Sequence, residues 1–173
     1  MYEVQELIDE VIFPTLAQLG IKRADNADTN LLLGTFAQES TLGSFDKQIG
    51  GGPALGIGQI EPRTNQLVLN WLIENNMGLY HKVMDIRGET TYNRTGITAD
   101  INRVALQLND KYNCAIARCL YLSISVPLPD ENNIDGMARY WKQYYNSPQG
   151  AGTVAEWVHN YNSLVLPFLK VSL

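Results

Sequence analysis

LLLGTFAQESTLGSFDKQIGGGPALGIGQIEPRT, residues 31–64, is the stretch around which the rest of the chain is organised. An apolar run, Leu31-Leu32-Leu33 with Phe36 and Ala37, ends on one carboxylate, Glu39, followed at once by Ser40. A helix that is apolar all round belongs inside a protein, so Glu39 leaves a core element and not a surface one. Desolvation there disfavours the charged form and raises the carboxyl pKa, which is what a general acid at neutral pH needs. The competing reading, a solvated Glu fraying at a helix end, is the commoner fate of an isolated Glu. Past Ser40 the period is lost, and Gly50-Gly51-Gly52-Pro53 marks a shaped loop that closes on Gly56-Ile57-Gly58-Gln59-Ile60. Glycines let backbone approach a bulky ligand, and Gln59 offers both a donor and an acceptor. A phosphate-cradling loop is the obvious rival, but no strand precedes these glycines and no Gly-Lys-Ser/Thr follows them.

Working outward, the 173 residues fit one domain, residues 1–173, with enough volume for a real core. Apolar residues at 45% and charged ones at 18% describe a globular chain and not a disordered one. The net charge of −5 and the lack of a basic stripe leave no electrostatic footprint for nucleic acid. No segment is long and apolar enough to insert in a membrane. The opening MYEVQELIDE has neither a charged n-region nor an apolar h-region, so no signal peptide is expected. Cys114 and Cys119 lie five apart in a helical pattern and point to different faces, as reduced core residues would. His81 and His159 are isolated from any metal-ligand spacing or nucleophile partner, and no chemistry is assigned to them.

The pattern is helical throughout. Glu3 to Leu19 carries Val4, Leu7, Ile8, Val11, Ile12 and Leu16 at amphipathic spacing, with Pro14 expected to kink or split it and Gly20 to end it. Asp25 or Asp28 can cap the apolar helix that leads to Glu39. Pro62 suits the first turn of a helix to about Asn75, with Leu67, Val68, Trp71 and Leu72 inward. Residues 78–98 read as a short helix and then a polar, turn-rich excursion. Asp100 caps a helical stretch from Ile101 to about Ser125, broken near Asn109-Asp110. Asn133 caps a helix through Tyr145, in which Met137, Tyr140, Trp141 and Tyr144 form a stripe of the kind that usually fills a core. A last helix runs from Thr153 to about Leu169.

Three motifs therefore stand in order: Glu39-Ser40; Gly56-Ile57-Gly58-Gln59-Ile60 with Pro62 and Thr64; and Tyr145-Asn146-Ser147-Pro148 running into Gly150-Ala151-Gly152. In this combination the chain, from Asp28 to Leu169, resembles the catalytic core of the lytic transglycosylases and goose-type lysozymes. Their corresponding motifs are Glu-Ser, Gly-Leu-Met-Gln-Ile/Val and Tyr-Asn-Ala-Gly. Trp157 also falls where that family tends to carry a Trp. The resemblance implies a mainly α, lysozyme-like domain with an active-site groove, Cys114 to Leu122 as the buried helix behind the site, and a small β or loop-rich excursion.

The activity it implies is cleavage of the β-1,4 bond between N-acetylmuramic acid and N-acetylglucosamine in peptidoglycan, without cofactor or metal. Most glycosidases use two carboxyl groups; the resemblance implies one. Glu39 protonates the glycosidic oxygen, the muramyl N-acetyl group supports the cationic centre, and Glu39 then takes the proton of the C6 hydroxyl as it closes a 1,6-anhydro ring. Gln59 binds substrate or aligns Glu39, Ser40 anchors a sugar substituent or supports Glu39 locally, and Ile57 belongs to the groove motif. Tyr145 hydrogen-bonds near Glu39, and Asn146 shapes the turn or binds sugar. Core filling by Ser40 and simple capping by Asn146 are the plain alternatives. Gly58 in place of the family's Met is expected to leave a wider or more flexible cleft, and Ser147-Pro148 in place of Ala-Gly a stiffer third motif. A second carboxylate would make the enzyme a hydrolytic muramidase. Asp46 is the first candidate and Glu61 the next, against the plain reading of both as solvated surface charges. Two further classes are a non-catalytic wall-binding module and a structural virion protein. Expected partners are peptidoglycan strands and, for delivery to the wall, a phage particle, a holin or a secretion machine.

Overall fold

The computed structural model describes residues 1–21, 26–88 and 100–169. Of these described residues 68% are helical, about twice the usual share for globular chains. Among the described residues β structure is confined to two isolated bridges, Lys47 with Leu55 and Leu55 with Ile60. Both bridges lie in the glycine loop and neither extends into a strand; the turn-rich part expected around 89–98 falls outside the described residues.

The N-terminal pattern forms one continuous rod of three segments, α1 (Val4–Glu6), a π-helical Leu7–Ile12 and α2 (Phe13–Leu19). Pro14 does not split it. The wider π register, in which the Phe13 N–H bonds to the Ile8 carbonyl, precedes the proline and places it in the first turn of α2, where a missing N–H costs little. Gly20 ends the rod at φ +81°.

Helix α3 (Asn26–Ser40) is buried along most of its length and packs on α7 (Asp110–Leu122), α8 (Ile134–Trp141) and α9 (Val154–Asn160). Close approach to α9 depends on Gly34, where a Cβ would lie 1.9 Å from the Trp157 ring. Asp28 sits in the first turn of α3 and reaches Arg118 of α7 at 2.7 Å; both are buried. Asp25, the other capping candidate, lies outside the described residues. Helix α7 is the second central element, with Tyr112 through Cys119 all buried. Both cysteines are free and buried, and burial pushes the Cys119 thiol up to about 12.

Helix α4 (Pro62–Asn75) begins at Pro62 as expected, but Leu67 is 59% exposed and Leu69 takes the inward position. Helix α5 (Met77–Arg87) follows directly. Asp100 caps α6 (Ile101–Leu108), and Asn109 both separates α6 from α7 and caps α7 by accepting from the Tyr112 N–H. Asn133 caps α8. The helix expected to run on to Tyr145 changes at Trp141 into a π segment, Lys142–Asn146. The last helix changes likewise, from α9 to a π segment Tyr161–Val165 and a short 3₁₀ turn Leu166–Phe168.

Candidate active site

Glu39 is the penultimate residue of α3, and the chain reverses immediately behind it. Thr41 and Leu42 both take positive φ (52° and 55°), an uncommon conformation for side-chain-bearing residues. Ser40 explains how the reversal is held. Its hydroxyl is fully buried, donates to the Phe36 carbonyl and accepts from the Gly43 N–H at 2.8 Å. Ser40 therefore supports the Glu39 turn from within, and the reading in which it anchors a sugar is corrected: the side chain has no surface to offer one.

The glycine loop folds back across this turn. Leu55 and Ile60 exchange both backbone bonds, so Gly56 to Gln59 form the tip of a minimal hairpin. Gly56 is at φ +70°, and a Cβ there would meet the Leu106 carbonyl at 2.0 Å. Gln59 is itself left-handed (φ +46°), its side-chain amide donating to the Gly56 carbonyl at 2.8 Å. Ile57 turns inward and is 1% exposed, so its assignment to substrate binding is also corrected; it is a core residue that seats the hairpin.

The anchor of this hairpin is Asn113, a buried residue of α7 not singled out above. Its Oδ1 accepts from the Gly58 N–H at 2.8 Å, and its Nδ2 donates to the Leu55 and Leu106 carbonyls at 2.9 Å each. The Gly58 carbonyl in turn receives the Tyr145 hydroxyl at 2.6 Å. A Cβ on Gly58 would lie 2.7 Å from both Asn113 Oδ1 and Tyr145 Oη. Gly58 therefore does not widen the cleft; it lets three elements meet where a side chain would keep them apart.

These pieces enclose a groove of about 540 Å³, within the usual range of ligand sites, roughly 300–1,000 Å³. Glu39 and Leu120 line it, with Gln48 and Ile49 from the glycine loop, Gln59 and Glu61 from the hairpin and its exit, and Tyr145, Asn146 and Ser147 from the third motif. Ile49 is 78% exposed at the rim. Among the described lining residues the charged ones are both acidic, Glu39 and Glu61. Asp46 is not among them: its carboxylate accepts from Gln107 at 2.7 Å and its carbonyl from the Gly56 N–H, which makes it a strut of the loop. The order of the two second-carboxylate candidates is thereby reversed, since Glu61 lies in the groove.

Glu39 is held by a residue that the aromatic stripe concealed. Trp141, fully buried, donates its indole N–H to Glu39 Oε1 at 3.0 Å. Tyr145, expected to bond near Glu39, lines the same groove but gives its hydroxyl hydrogen to Gly58. Burial raises the Glu39 carboxyl to about 7, the Trp141 bond opposing part of that rise. Burial, reinforced by the Glu39 charge, also keeps the Tyr145 phenol neutral. Asn146 receives Lys142 Nζ on its Oδ1, and Lys142 also reaches the Gly150 carbonyl, so this side chain shapes the turn while lining the groove. Ser147 follows at φ +79°, the strained position of the third motif.

Chemically, the groove presents one carboxyl group able to carry a proton near neutrality, a fixed amide along the same wall, an apolar rim and a second, exposed carboxylate. That is an equipment for acid–base work on a polar, uncharged or weakly charged bond. Among the described residues no cluster of His, Cys, Asp and Glu is spaced to hold a metal ion, and no helix is long and apolar enough to cross a membrane. Set against known proteins, the chain matches no family, no curated protein and no solved structure.

Proposed function

We propose that the protein cleaves the glycan strands of peptidoglycan as a lytic transglycosylase of lysozyme-like fold, with Glu39 as its single acid and base. The observation that carries this reading is the buried Glu39 carboxyl, protonated to about pH 7 and lining a groove. A glycosidic oxygen is a poor leaving group until it is protonated, and an ordinary surface Glu has lost its proton by neutral pH. Glu39 gives its proton to that oxygen as the bond to C1 of muramic acid breaks. The carboxylate left behind accepts the C6 hydroxyl proton while O6 bonds to C1. The product ends in 1,6-anhydro-muramic acid, Glu39 is again protonated, and no water is consumed.

Glu61 favours a second reading, hydrolysis by a muramidase, because it is an acceptor in the same groove that could activate water. Mass spectrometry of the products from purified peptidoglycan separates the two. Anhydro ends support the transglycosylase; reducing ends, heavier by one water, support the hydrolase with Glu61. Glu39→Gln, run alongside, should lose at least about a hundredfold in rate. Equal clearing of walls by that variant would remove Glu39 from the chemistry and return the binding and scaffold readings.

A further inference from the structure

An indole N–H can only donate. The bond from Trp141 to Glu39 Oε1 therefore occupies a lone pair of that oxygen in either protonation state. In a neutral carboxylic acid the carbonyl oxygen is the better acceptor, so the bonded Oε1 is the carbonyl and the proton resides on Oε2. We propose that Trp141 is the positioning residue of Glu39, fixing Oε1 as the unprotonated oxygen and so presenting the acid proton on Oε2. The catalytic half of this inference rests on the proposed glycosidic cleavage; the coupling between the two side chains does not.

The surroundings suit that role. Trp141 is the last residue of α8, and the π segment that starts at Lys142 carries Tyr145 into the same groove. Its ring is confined by Gly152, where a Cβ would come within 2.7 Å of Trp141 Cη2, which gives that motif glycine a physical reason. Other polar groups near Glu39 are engaged elsewhere. Tyr121 of α7 shares its hydroxyl hydrogen bond with Thr35 of α3, and Tyr145 is committed to Gly58. Burial, with the Glu39 charge adding to it, raises both phenols, which stay neutral while Glu39 titrates. Lys142 is held by Asn146 and Gly150, and Glu61 lies along the same groove from the start of α4. When Oε2 loses its proton, the charge spreads to Oε1 and the Trp141 bond becomes charge-assisted, hence stronger. An interaction that strengthens during proton transfer lowers the barrier and not merely the cost of binding.

The test begins without substrate. In wild-type protein the Trp141 indole N–H signal should move with pH, with the same midpoint as the ¹³C signal of the Glu39 carboxyl, and the movement should vanish in Glu39→Gln. Trp141→Phe should raise the Glu39 midpoint by about one unit. It should lower kcat by about tenfold or more with KM nearly unchanged, and carry the alkaline limb of the rate profile upward. Because Phe also leaves a gap, a benzothienylalanine at 141, which keeps the ring shape and lacks the N–H, is the companion variant. The same shift in both supports the bond as the cause. A shift in Phe alone, or an indole signal indifferent to Glu39, overturns the proposal. Wild-type protein that shows the coupled titration but cuts no glycan overturns the proposed function and leaves the coupling standing.

Discussion

At the scale of the residue, Glu39 is a site where chemistry and stability pull apart. The unfolded chain releases the Glu39 proton near 4.5, the folded protein near 7. Between those values the folded state binds more protons, so stability falls as pH rises. The contribution is fully present below about 4.5 and fully lost just above 7, the opposite of a salt-bridged carboxylate; the gap corresponds to roughly 3 kcal/mol. Glu39→Gln removes the ionisation while its amide oxygen can still accept from Trp141. The variant should therefore match wild type in urea unfolding at pH 4 and exceed it by about 2–3 kcal/mol at pH 8. Lower stability of the variant at pH 8 would mean that the fold welcomes the carboxylate, contrary to its burial. Glu39 was legible in the sequence because a helix apolar on all sides belongs in the core and carries its terminal acid in with it, against the commoner fate of a solvated Glu at a helix end. Its partner Trp141 was not, since 102 residues separate them and a Trp in an aromatic stripe looks like packing alone.

At the scale of the element, the glycine motif is a hairpin whose shape is imposed from α7. Asn113 satisfies one backbone N–H and two carbonyls, all buried away from water, and through Gly58 it sets the carbonyl on which Tyr145 rests. Truncating it orphans three groups at once, at about 1–3 kcal/mol each when fully buried. Such costs are not additive, and Asn113→Ala should lose about 3 kcal/mol in urea unfolding, with activity of the folded fraction reduced. Full activity in the folded variant would show that the hairpin holds its shape unaided. The helices themselves were legible: Asp100 and Asn133 cap where short polar residues precede apolar periods, and the break expected near Asn109 falls there, with Asn109 capping the helix that follows. What misled lay in the contacts between elements. Gly58 looked like missing bulk and is a crossing point, Ile57 looked exposed by its motif and is core, and Asp46, the first candidate for a second carboxylate against the plain reading of a surface charge, is a strut. The π segments also escaped notice, because one extra residue per turn leaves an amphipathic pattern nearly intact over five residues.

At the scale of the whole molecule, the charge makes a claim about how a wall would be held. The chain carries −5, and the charged residues described along its groove are acidic. The peptidoglycan strands of the proposed function are anionic as well, so long-range forces oppose encounter, and contact must come from hydrogen bonds and apolar surface such as Ile49 at the rim. Repulsion of this kind reaches about 30 Å at 0.01 M salt and about 8 Å at 0.15 M. Raising salt across that range should therefore speed wall clearing at low substrate, through KM and not kcat, by several-fold. The pH must be held near 6, so that Glu39 stays protonated throughout and only screening changes. Neutralising Glu61 as Glu61→Gln should reproduce part of the gain at low salt and blunt the response to added salt. A rate that falls with salt would instead mean that cationic contacts hold the wall, and the groove would no longer be the main point of grip.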